Sequence, residues 1–364
     1  MNFKNFVVIW TIFFVAFRSC SARRAKIHRL EKLNVNPNLV TISGFSSGAA
    51  QAMQFHIAHS SKLLGVGIFS GVPYMYGHDR SREDFFVTDP GNFNISLATD
   101  FAKNYEKEHL IDPLHHLNNS RVYIYHGTKD STVYHGCGRA IETIYSNLSR
   151  SIISKLDALP AEHGMASDNS GGPCGMVNVG QYLVNNCKYS GVYEMFNHLY
   201  GEDALVKPNG TMGTVPLRGR FYEFDQSEFF DKKGFFSKSA GMDDVGFAYI
   251  PSRCSVPEKD VIDDNSTAIY KPYCKLAIAL HGCTQTRQTY GDKFPRTTGY
   301  LEVAELNDII VIFPQTKRSV YNPRNLSGCW DWMGFTGKQY GTQNGLQIKV
   351  IRKILSRALG EDTL

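Results

Sequence analysis

The pentapeptide Gly44-Phe45-Ser46-Ser47-Gly48 is the feature that most constrains how this chain folds. An apolar run at residues 39–45 predicts a buried strand before the serine, and small and apolar residues at helical spacing predict a helix from about residue 49. A Gly-x-Ser-x-Gly pattern between a strand and a helix is typical of a nucleophile elbow, a strained turn that exposes a serine hydroxyl at the edge of a sheet. The pattern by itself arises by chance in about a tenth of chains this long, so the strand and the helix carry the argument. Ser46 is therefore a candidate nucleophile, and the alternative is a tight turn with an idle serine.

Short apolar runs alternate with helical patterns along the rest of the chain, which predicts a mainly parallel sheet with helices on both faces. Several of these runs lack polar alternation, as expected for strands that are covered on both sides. The length of 364 residues suffices for one large α/β domain, and no linker marks a second, so we expect residues 23–364 to form a single domain. Residues 197–219 are interpreted as a long connection. The predicted strands are 39–45, 64–70, 122–126, 221–224, 245–250, 276–281 and 309–313, with a further candidate at 152–159.

A serine nucleophile needs a base and an acid that orients the base, and the sequence offers one of each. Asp130 lies in a loop directly after a predicted strand, which places it at the same edge of the sheet as Ser46. His163 follows the candidate strand at 152–159, and the order serine, aspartate, histidine fits an α/β-hydrolase. His126 and His281 also stand at strand ends and are the competing bases. A surface aspartate without a catalytic role is the alternative for Asp130.

Acyl transfer also needs backbone N–H donors that stabilise the oxyanion. The first is the amide of Ser47, and the second is the amide of Cys283 in the loop His281-Gly282-Cys283, for which a structural turn is the alternative. In an ordinary α/β-hydrolase this loop precedes the nucleophile, whereas here it follows, together with the strands from 221 to 313. This is the pattern of a circular permutation. It predicts that the mature N-terminus and the C-terminal helix lie close together.

Further motifs occur in a characteristic order with those already described. They are Ser43 to Ala49, Gly127-Thr128-Lys129-Asp130, His163 with Cys174-Gly175, His198-Leu199-Tyr200-Gly201, Phe224-Asp225-Gln226, Tyr249-Ile250-Pro251, Leu280-His281-Gly282-Cys283-Thr284-Gln285, and Gly328-Cys329-Trp330-Asp331-Trp332. With these motifs the chain resembles the polyhydroxybutyrate depolymerase esterases, especially their single-domain, circularly permuted fungal type. The similarity runs from about residue 36 to residue 354.

The resemblance implies a circularly permuted α/β-hydrolase fold and a secreted serine esterase that hydrolyses poly-3-hydroxybutyrate or related oligomers. It implies Ser46 as nucleophile, Asp130 as acid and His163 as base, with the amides of Ser47 and Cys283 as oxyanion donors. No cofactor and no metal are expected.

The resemblance also suggests a disulfide between Cys283 and Cys329. Further pairs that are plausible from proximity in the sequence are Cys254 with Cys274 and Cys174 with Cys187, which leaves Cys137 over; sequence alone does not determine connectivity. Trp330 and Trp332 are candidates to line a crevice for an apolar polyester, and burial in the core is the alternative.

The chain departs from the secreted bacterial members, which carry an added substrate-binding domain and a linker that the sequence lacks. Two other functions therefore stay open. The first is a carbohydrate esterase of the feruloyl or acetylxylan type, which shares the fold and the triad. The second is a non-catalytic secreted binding protein on a hydrolase scaffold.

Residues 1–22 have the pattern of a secretory signal peptide, with Lys4 before an apolar stretch and cleavage predicted after Ala22; a signal anchor is the alternative. After cleavage we expect a secreted monomer that does not bind membranes, and several of its seven cysteines should pair. A net charge of +5, spread along the chain, argues against a nucleic-acid partner. Six sequons would be glycosylation sites in a eukaryotic source, at Asn94, Asn118, Asn147, Asn209, Asn265 and Asn325.

Overall fold

The structure is a computed structural model that describes residues 27–78, 94–149, 153–231, 240–255, 274–321 and 323–361. The predicted signal peptide at 1–22 and the sequon at Asn265 lie outside these residues. Within these ranges, no helix combines the length and the apolar character needed to cross a membrane.

The strands and helices follow the alternation that the sequence predicts. The strands are β1 Val35–Phe45, β2 Gly65–Phe69, β3 Arg121–Tyr125, β4 Ile153–Asp157, β5 Met165–Ser167, β6 Gly172–Pro173, β7 Val184–Asn186, β8 Arg220–Asp225, β9 Val245–Ile250, β10 Cys274–Leu280 and β11 Ile309–Phe313. The helices are α1 Ser47–Ala58, α2 Ile95–Lys107, α3 Gly136–Leu148, α4 Gly191–Tyr200, α5 Arg287–Tyr290, α6 Lys293–Thr297, α7 Tyr300–Asn307 and α8 Leu346–Leu359.

Eight of these strands form one sheet in the order β4-β3-β2-β1-β10-β11-β9-β8. The six strands from β4 to β11 in this order are parallel. At the far edge, β9 is antiparallel to its neighbours β11 and β8. β1, which leads to Ser46, therefore lies in the middle of the sheet between β2 and β10. Every strand predicted for the main sheet is found there, including the candidate at 152–159, and the α/β-hydrolase fold is confirmed.

The two ends of the described chain meet, as the predicted circular permutation requires. The amide of Leu33 donates to the carbonyl of Ala358 in α8 at 2.8 Å. Arg357 Nη1 donates to the carbonyl of Leu30 at 3.2 Å. The backbone of His28 pairs with the edge strand β8. The last four strands of the chain, β8 to β11, thus lie on one side of β1, and the chain ends close beside the segment that enters β1.

Apolar side chains cover both faces of the sheet, which explains the continuous apolar runs in the sequence. On one face, residues of the strands pack with α1, α2, α3 and α8, and on the other they pack with α4 and α7. Alternation within β1 divides its side chains between the two cores: Ile42 belongs to the first, while the hydroxyl of Ser43 lies 2.8 Å from that of Tyr300 on the second face.

A small second sheet, with strand order β5-β7-β6, was not predicted. Its strands are only two or three residues long and carry no periodic pattern that a sequence reading detects. The predicted connection at 197–219 also starts later than expected, because α4 extends to Tyr200. The small sheet lies directly after His163 and forms part of that residue's support.

Three disulfides confirm the expected pairings. They are Cys174–Cys187, Cys254–Cys274 and Cys283–Cys329. Cys137 is buried in α3 and belongs to none of them.

The described sequons all match the same sequence pattern, but their asparagines differ in exposure. Four of them have exposed asparagines, whereas Asn325 is buried. Its Nδ2 donates to the carbonyl of Cys329 at 2.8 Å and its Oδ1 accepts from the amide of Cys329 at 2.9 Å. Asn325 is thus the one described sequon whose side chain is not presented to solvent in the folded chain, and its glycosylation stays a prediction. The exposed four are Asn94, Asn118, Asn147 and Asn209.

Candidate active site

Ser46 occupies a strained turn between β1 and α1. Its backbone has φ 55° and ψ −120°, a combination that residues with a Cβ rarely adopt. The turn is held from both sides, because the Ser46 amide donates to Phe69 O at 2.8 Å and the Ser46 carbonyl accepts the amides of Ala49 and Ala50. The side chain is half-buried at the carboxyl edge of the parallel strands. This is the conformation of a nucleophile elbow.

The two glycines of the pentapeptide are required by close backbone approach. A Cβ on Gly44 would overlap the carbonyl of Gly48, across the turn from it. A Cβ on Gly48 would overlap the carbonyl oxygens of Leu280 and His281, at the end of β10. Gly48 therefore lets the first turn of α1 lie directly against the start of the predicted oxyanion loop.

Asp130 and His163 are brought together by the loops that follow the neighbouring strands β3 and β4. Nδ1 of His163 lies 2.8 Å from Oδ2 of Asp130, and both side chains are buried. The other carboxylate oxygen, Oδ1, accepts the amides of Thr132 and Val133 at 3.0 and 2.7 Å. The carboxylate is thus oriented by its own loop and presents one oxygen to the histidine.

The environment of Asp130 favours its ionised form. Burial works against ionisation, but the hydrogen bond from His163 and the charge of that ring outweigh it, so the pKa of Asp130 lies below its ordinary value of 3.8. An ionised Asp130 accepts a hydrogen bond from Nδ1–H of His163, which leaves Nε2 as the basic nitrogen.

The two competing histidines are held in structural hydrogen bonds. Nε2 of His126 donates to the carbonyl of Val133 at 2.9 Å and lies 3.6 Å from Asp130 Oδ2, and burial lowers its pKa. Burial likewise lowers the pKa of His281 to about 4. Its Nδ1 bonds the carbonyl of Gly282 at 2.7 Å, and its Nε2 accepts the amide of Thr316 at 3.2 Å. His281 thereby anchors the predicted oxyanion loop.

The His163 ring lies beside the elbow. Its centroid is 4.7 Å from that of Phe45, the residue before Ser46. In the described part of the chain, no hydrogen bond joins the His163 ring to the Ser46 hydroxyl. Bonds of this kind are often long in a free enzyme and shorten when the substrate binds.

The predicted oxyanion donors lie on segments that are tied to each other. The disulfide from Cys283 reaches Cys329, and the Ser47 hydroxyl accepts the amide of the next residue, Trp330, at 3.2 Å. The loop is shaped further by Gln285, whose Oε1 accepts the amide of Gly282 at 2.7 Å. Among the described residues, the amides of Ser47 and Cys283 make no hydrogen bond to a backbone carbonyl.

Both tryptophans that the sequence offers as lining for a crevice are buried. Trp330 has no exposed surface and packs against His281, with ring centroids 5.6 Å apart. Trp332 keeps 7% of its surface and lies against Tyr76. Trp330 would contact a substrate only if its neighbours moved, so Trp332 is the better placed of the two predicted residues.

Sequence reasoning missed one residue that contacts the Asp130–His163 pair. The buried carboxylate of Glu162 accepts the amide of His163 at 2.8 Å and the amide of Ser131, next to Asp130, at 2.6 Å. No sequence pattern marks this residue, because a single glutamate in a loop is usually a solvated side chain. For metals, the described ranges contain no group of three His, Cys, Asp or Glu side chains able to hold an ion.

Two curated relatives are similar to nearly the whole chain. The poly(3-hydroxybutyrate) depolymerase of Delftia acidovorans is 30% identical over 333 residues, which are 90% of this chain and 61% of that protein. The polyhydroxybutyrate depolymerase of Talaromyces funiculosus is 28% identical over 335 residues, which are 88% of this chain and 90% of that protein. Over nearly its whole length, this chain is similar to polyhydroxybutyrate depolymerases. It spans about three fifths of the length of the Delftia relative.

Solved structures agree with this similarity. The PHB depolymerase from Penicillium funiculosum superposes with a TM-score of 0.75 at 26% identity, covering 91% of this chain and 99% of that one. A PHB depolymerase complexed with an R3HB trimer has the same coverage and identity, and a TM-score of 0.74. No protein-family model matches the chain.

Proposed function

We propose that this protein is a serine esterase that hydrolyses polyhydroxybutyrate or a related polyester. The observation that carries the proposal is the strained Ser46 elbow, placed at the same edge of the sheet as the hydrogen-bonded pair Asp130 and His163. An idle serine gives no reason for a turn that costs of the order of 1–3 kcal/mol of backbone strain.

The reaction follows from this arrangement in two steps. Ser46 Oγ attacks the ester carbonyl carbon while Nε2 of His163 accepts the hydroxyl proton, and Asp130 stabilises the charged ring. The bond to the leaving alcohol then breaks, and His163 returns the proton to that alcohol. In the second step His163 takes a proton from the water that attacks the acyl-enzyme carbonyl. The bond to Ser46 Oγ then breaks, and His163 returns the proton to Ser46 Oγ as the acid is released.

The oxyanion of each tetrahedral intermediate is bound by the amides of Ser47 and Cys283. Each such donor is worth about 3 kcal/mol of the barrier. The disulfide to Cys329 keeps the second donor in place, because the loop cannot move away from the segment that contacts Ser47. The chemistry requires neither a metal nor a cofactor.

A polymer substrate is supported by the names of the relatives and by the surface beside the site. Two segments contact the oxyanion loop: Tyr182 O accepts from Gln285 at 2.7 Å, and Ser327 O accepts from Thr284 at 2.7 Å. Both segments carry exposed apolar side chains, and clusters of this kind mark interaction sites. They are Met176, Val177 and Val179 on the first segment and Val320, Tyr321 and Leu326 on the second.

We also propose that residues 1–22 are removed and that residues 23–364 are exported as a monomeric, single-domain enzyme. Three disulfides and four exposed sequons support an oxidising, extracellular compartment. N-terminal sequencing of the secreted protein tests the cleavage after Ala22.

The nucleophile is tested with Ser46→Ala and the matched control Ser146→Ala, an exposed serine on α3. Ser46→Ala should abolish hydrolysis of a short p-nitrophenyl ester while its circular dichroism spectrum stays unchanged, and the control should keep full activity. Wild-type rates in Ser46→Ala would remove Ser46 from the mechanism.

The substrate is tested by comparing two reactions of the wild-type protein. We expect it to clear a suspension of polyhydroxybutyrate and to release little ferulate from methyl ferulate. Ferulate release without clearing would assign the same site to a carbohydrate esterase. Hydrolysis of neither substrate, nor of the p-nitrophenyl ester, would favour a binding protein.

A further inference from the structure

The loops that carry Asp130 and His163 are joined by backbone hydrogen bonds only over their first residues. The amide of Thr128 donates to Leu159 O at 2.7 Å, and the amide of Lys129 donates to Ala161 O at 3.1 Å. These hydrogen bonds between the loops stop at Asp130, because its amide donates to Gly127 O of its own loop at 3.2 Å. The backbone alone therefore does not set the distance between Asp130 and His163.

The Glu162 carboxylate continues the connection where the backbone hydrogen bonds end. A single oxygen, Oε1, accepts the amide of Ser131 at 2.6 Å and the amide of His163 at 2.8 Å. One of these amides follows Asp130 directly and the other belongs to His163 itself. Both N···O distances are shorter than the usual value of about 2.9 Å for an amide donor, so this oxygen is a close link between the two loops.

Glu162 is in turn held from behind. Its amide donates to Cys174 O at 2.9 Å, and its carbonyl accepts Asn185 Nδ2 at 2.7 Å. Cys174 is bonded to Cys187, so the small sheet and its disulfide form a rigid support. The backbone position of Glu162 is thus defined independently of the side chain that reaches the Asp130 loop.

We propose that Glu162 is a positioning residue: its carboxylate, by accepting the amides of Ser131 and His163, holds Nδ1 of His163 against Asp130. The inference rests on the proposed function, since it assumes that the Asp130–His163 pair serves Ser46. The position of His163 depends on how far the acceptor oxygen extends from the Glu162 backbone, and not on the charge of the carboxylate. A displacement of about 1 Å at a catalytic group can lower a rate roughly 100-fold.

The experiment distinguishes the length of the Glu162 side chain from the charge of its carboxylate. Glu162→Gln keeps an acceptor oxygen at the same distance, whereas Glu162→Asp keeps the charge and withdraws the oxygen by one methylene. We expect Glu162→Gln to retain kcat for a p-nitrophenyl ester within about threefold of wild type. Glu162→Asp and Glu162→Ala should lose about 10- to 100-fold in kcat with little change in KM.

A matched control is Glu106, whose Oε1 accepts the amide of Leu114 at 2.7 Å away from the active site. Glu106→Ala removes a comparable link between segments and should leave kcat unchanged. The same set of Glu162 variants is then made on an Asp130→Asn background. There Glu162→Asp should cost nothing further, because residues that act through one another are not additive.

Equal losses on both backgrounds, or a wild-type kcat in Glu162→Asp, would overturn the proposal. If Glu162→Ala does not fold, Glu162→Asp decides the matter alone. A second readout is independent of turnover: the downfield proton resonance of His163 Nδ1 bonded to Asp130 should weaken in Glu162→Asp and persist in Glu162→Gln. This readout stands even if Ser46→Ala keeps its activity and the proposed function fails.

Discussion

Replacing Ser46 by glycine is expected to make the protein more stable while it removes the esterase activity. The strain at Ser46 exists because a residue with a Cβ is held at φ 55°. Glycine adopts a positive φ at no steric cost. The comparison that isolates this effect is with Ser46→Ala, which also lacks the hydroxyl but keeps the Cβ.

The magnitude follows from two opposing contributions. Release of the backbone strain contributes of the order of 1–3 kcal/mol. Glycine raises the conformational entropy of the unfolded chain, which costs roughly 0.4–1 kcal/mol. The free energy of unfolding of Ser46→Gly should therefore exceed that of Ser46→Ala by about 1 kcal/mol.

The assay is urea unfolding of both variants, followed by circular dichroism and by tryptophan fluorescence, with hydrolysis of a p-nitrophenyl ester measured alongside. Both variants should be inactive, and the midpoint for the glycine variant should lie at the higher urea concentration with an unchanged slope. A glycine variant no more stable than the alanine variant would show that the elbow is not strained, and the argument from Ser46 to a nucleophile would lose its basis.

Three further predictions concern the surroundings of the site. Gly48→Ala should lower the free energy of unfolding in urea titrations by about 1–3 kcal/mol and reduce activity, because the added Cβ overlaps backbone oxygens at the end of β10. Gly180→Ala, where a Cβ meets nothing within 4 Å, should leave both the free energy of unfolding and the activity unchanged. Replacing Cys283 and Cys329 together by alanine opens a loop of 46 residues, which should lower the free energy of unfolding by about 4 kcal/mol by the chain-entropy model. The kcat for ester hydrolysis should also fall, and an unchanged kcat would exclude a role of the disulfide in holding the oxyanion donor. Burial lowers the pKa of His56 to about 3, so the folded protein binds this proton less readily than the unfolded chain. The contribution of His56 to stability should fall by about 1.4 kcal/mol per pH unit from pH 6.5 down to about pH 3; His56→Gln should reduce the total slope by that amount, and an unchanged slope would contradict the pKa shift.

Much of the site was predictable because the candidate catalytic residues lie in loops that directly follow strands of the sheet. The elbow, the Asp130 loop and the His163 loop each follow an apolar run, and parallel strands bring their carboxyl ends to one edge. Their grouping therefore follows from local pattern and from the order of strands along the chain. The late position of the Cys283 loop also sufficed to predict the permutation, which the contact of Leu33 with Ala358 confirms.

Burial was less predictable, because it depends on neighbours that are distant in sequence. Trp330 and Trp332 look alike in the sequence as candidates for a crevice, yet Trp330 lies wholly in the core beside His281. The sequon at Asn325 matches the other five, yet its side chain bonds the backbone of Cys329. Neither difference has a signature within a window of a few residues.

The sequence by itself determined the order of strands and helices, the turn that carries Ser46 and the loops that carry its partners, because each depends on periodicity and spacing along the chain. Tertiary structure alone decided that Trp330 is buried and that Glu162 bridges the loops of Asp130 and His163. The physical reason is that burial and hydrogen bonds of this kind arise between segments that are distant in sequence. Glu162 and Ser131 are 31 residues apart, and only the pairing of β3 with β4 brings them within hydrogen-bonding distance.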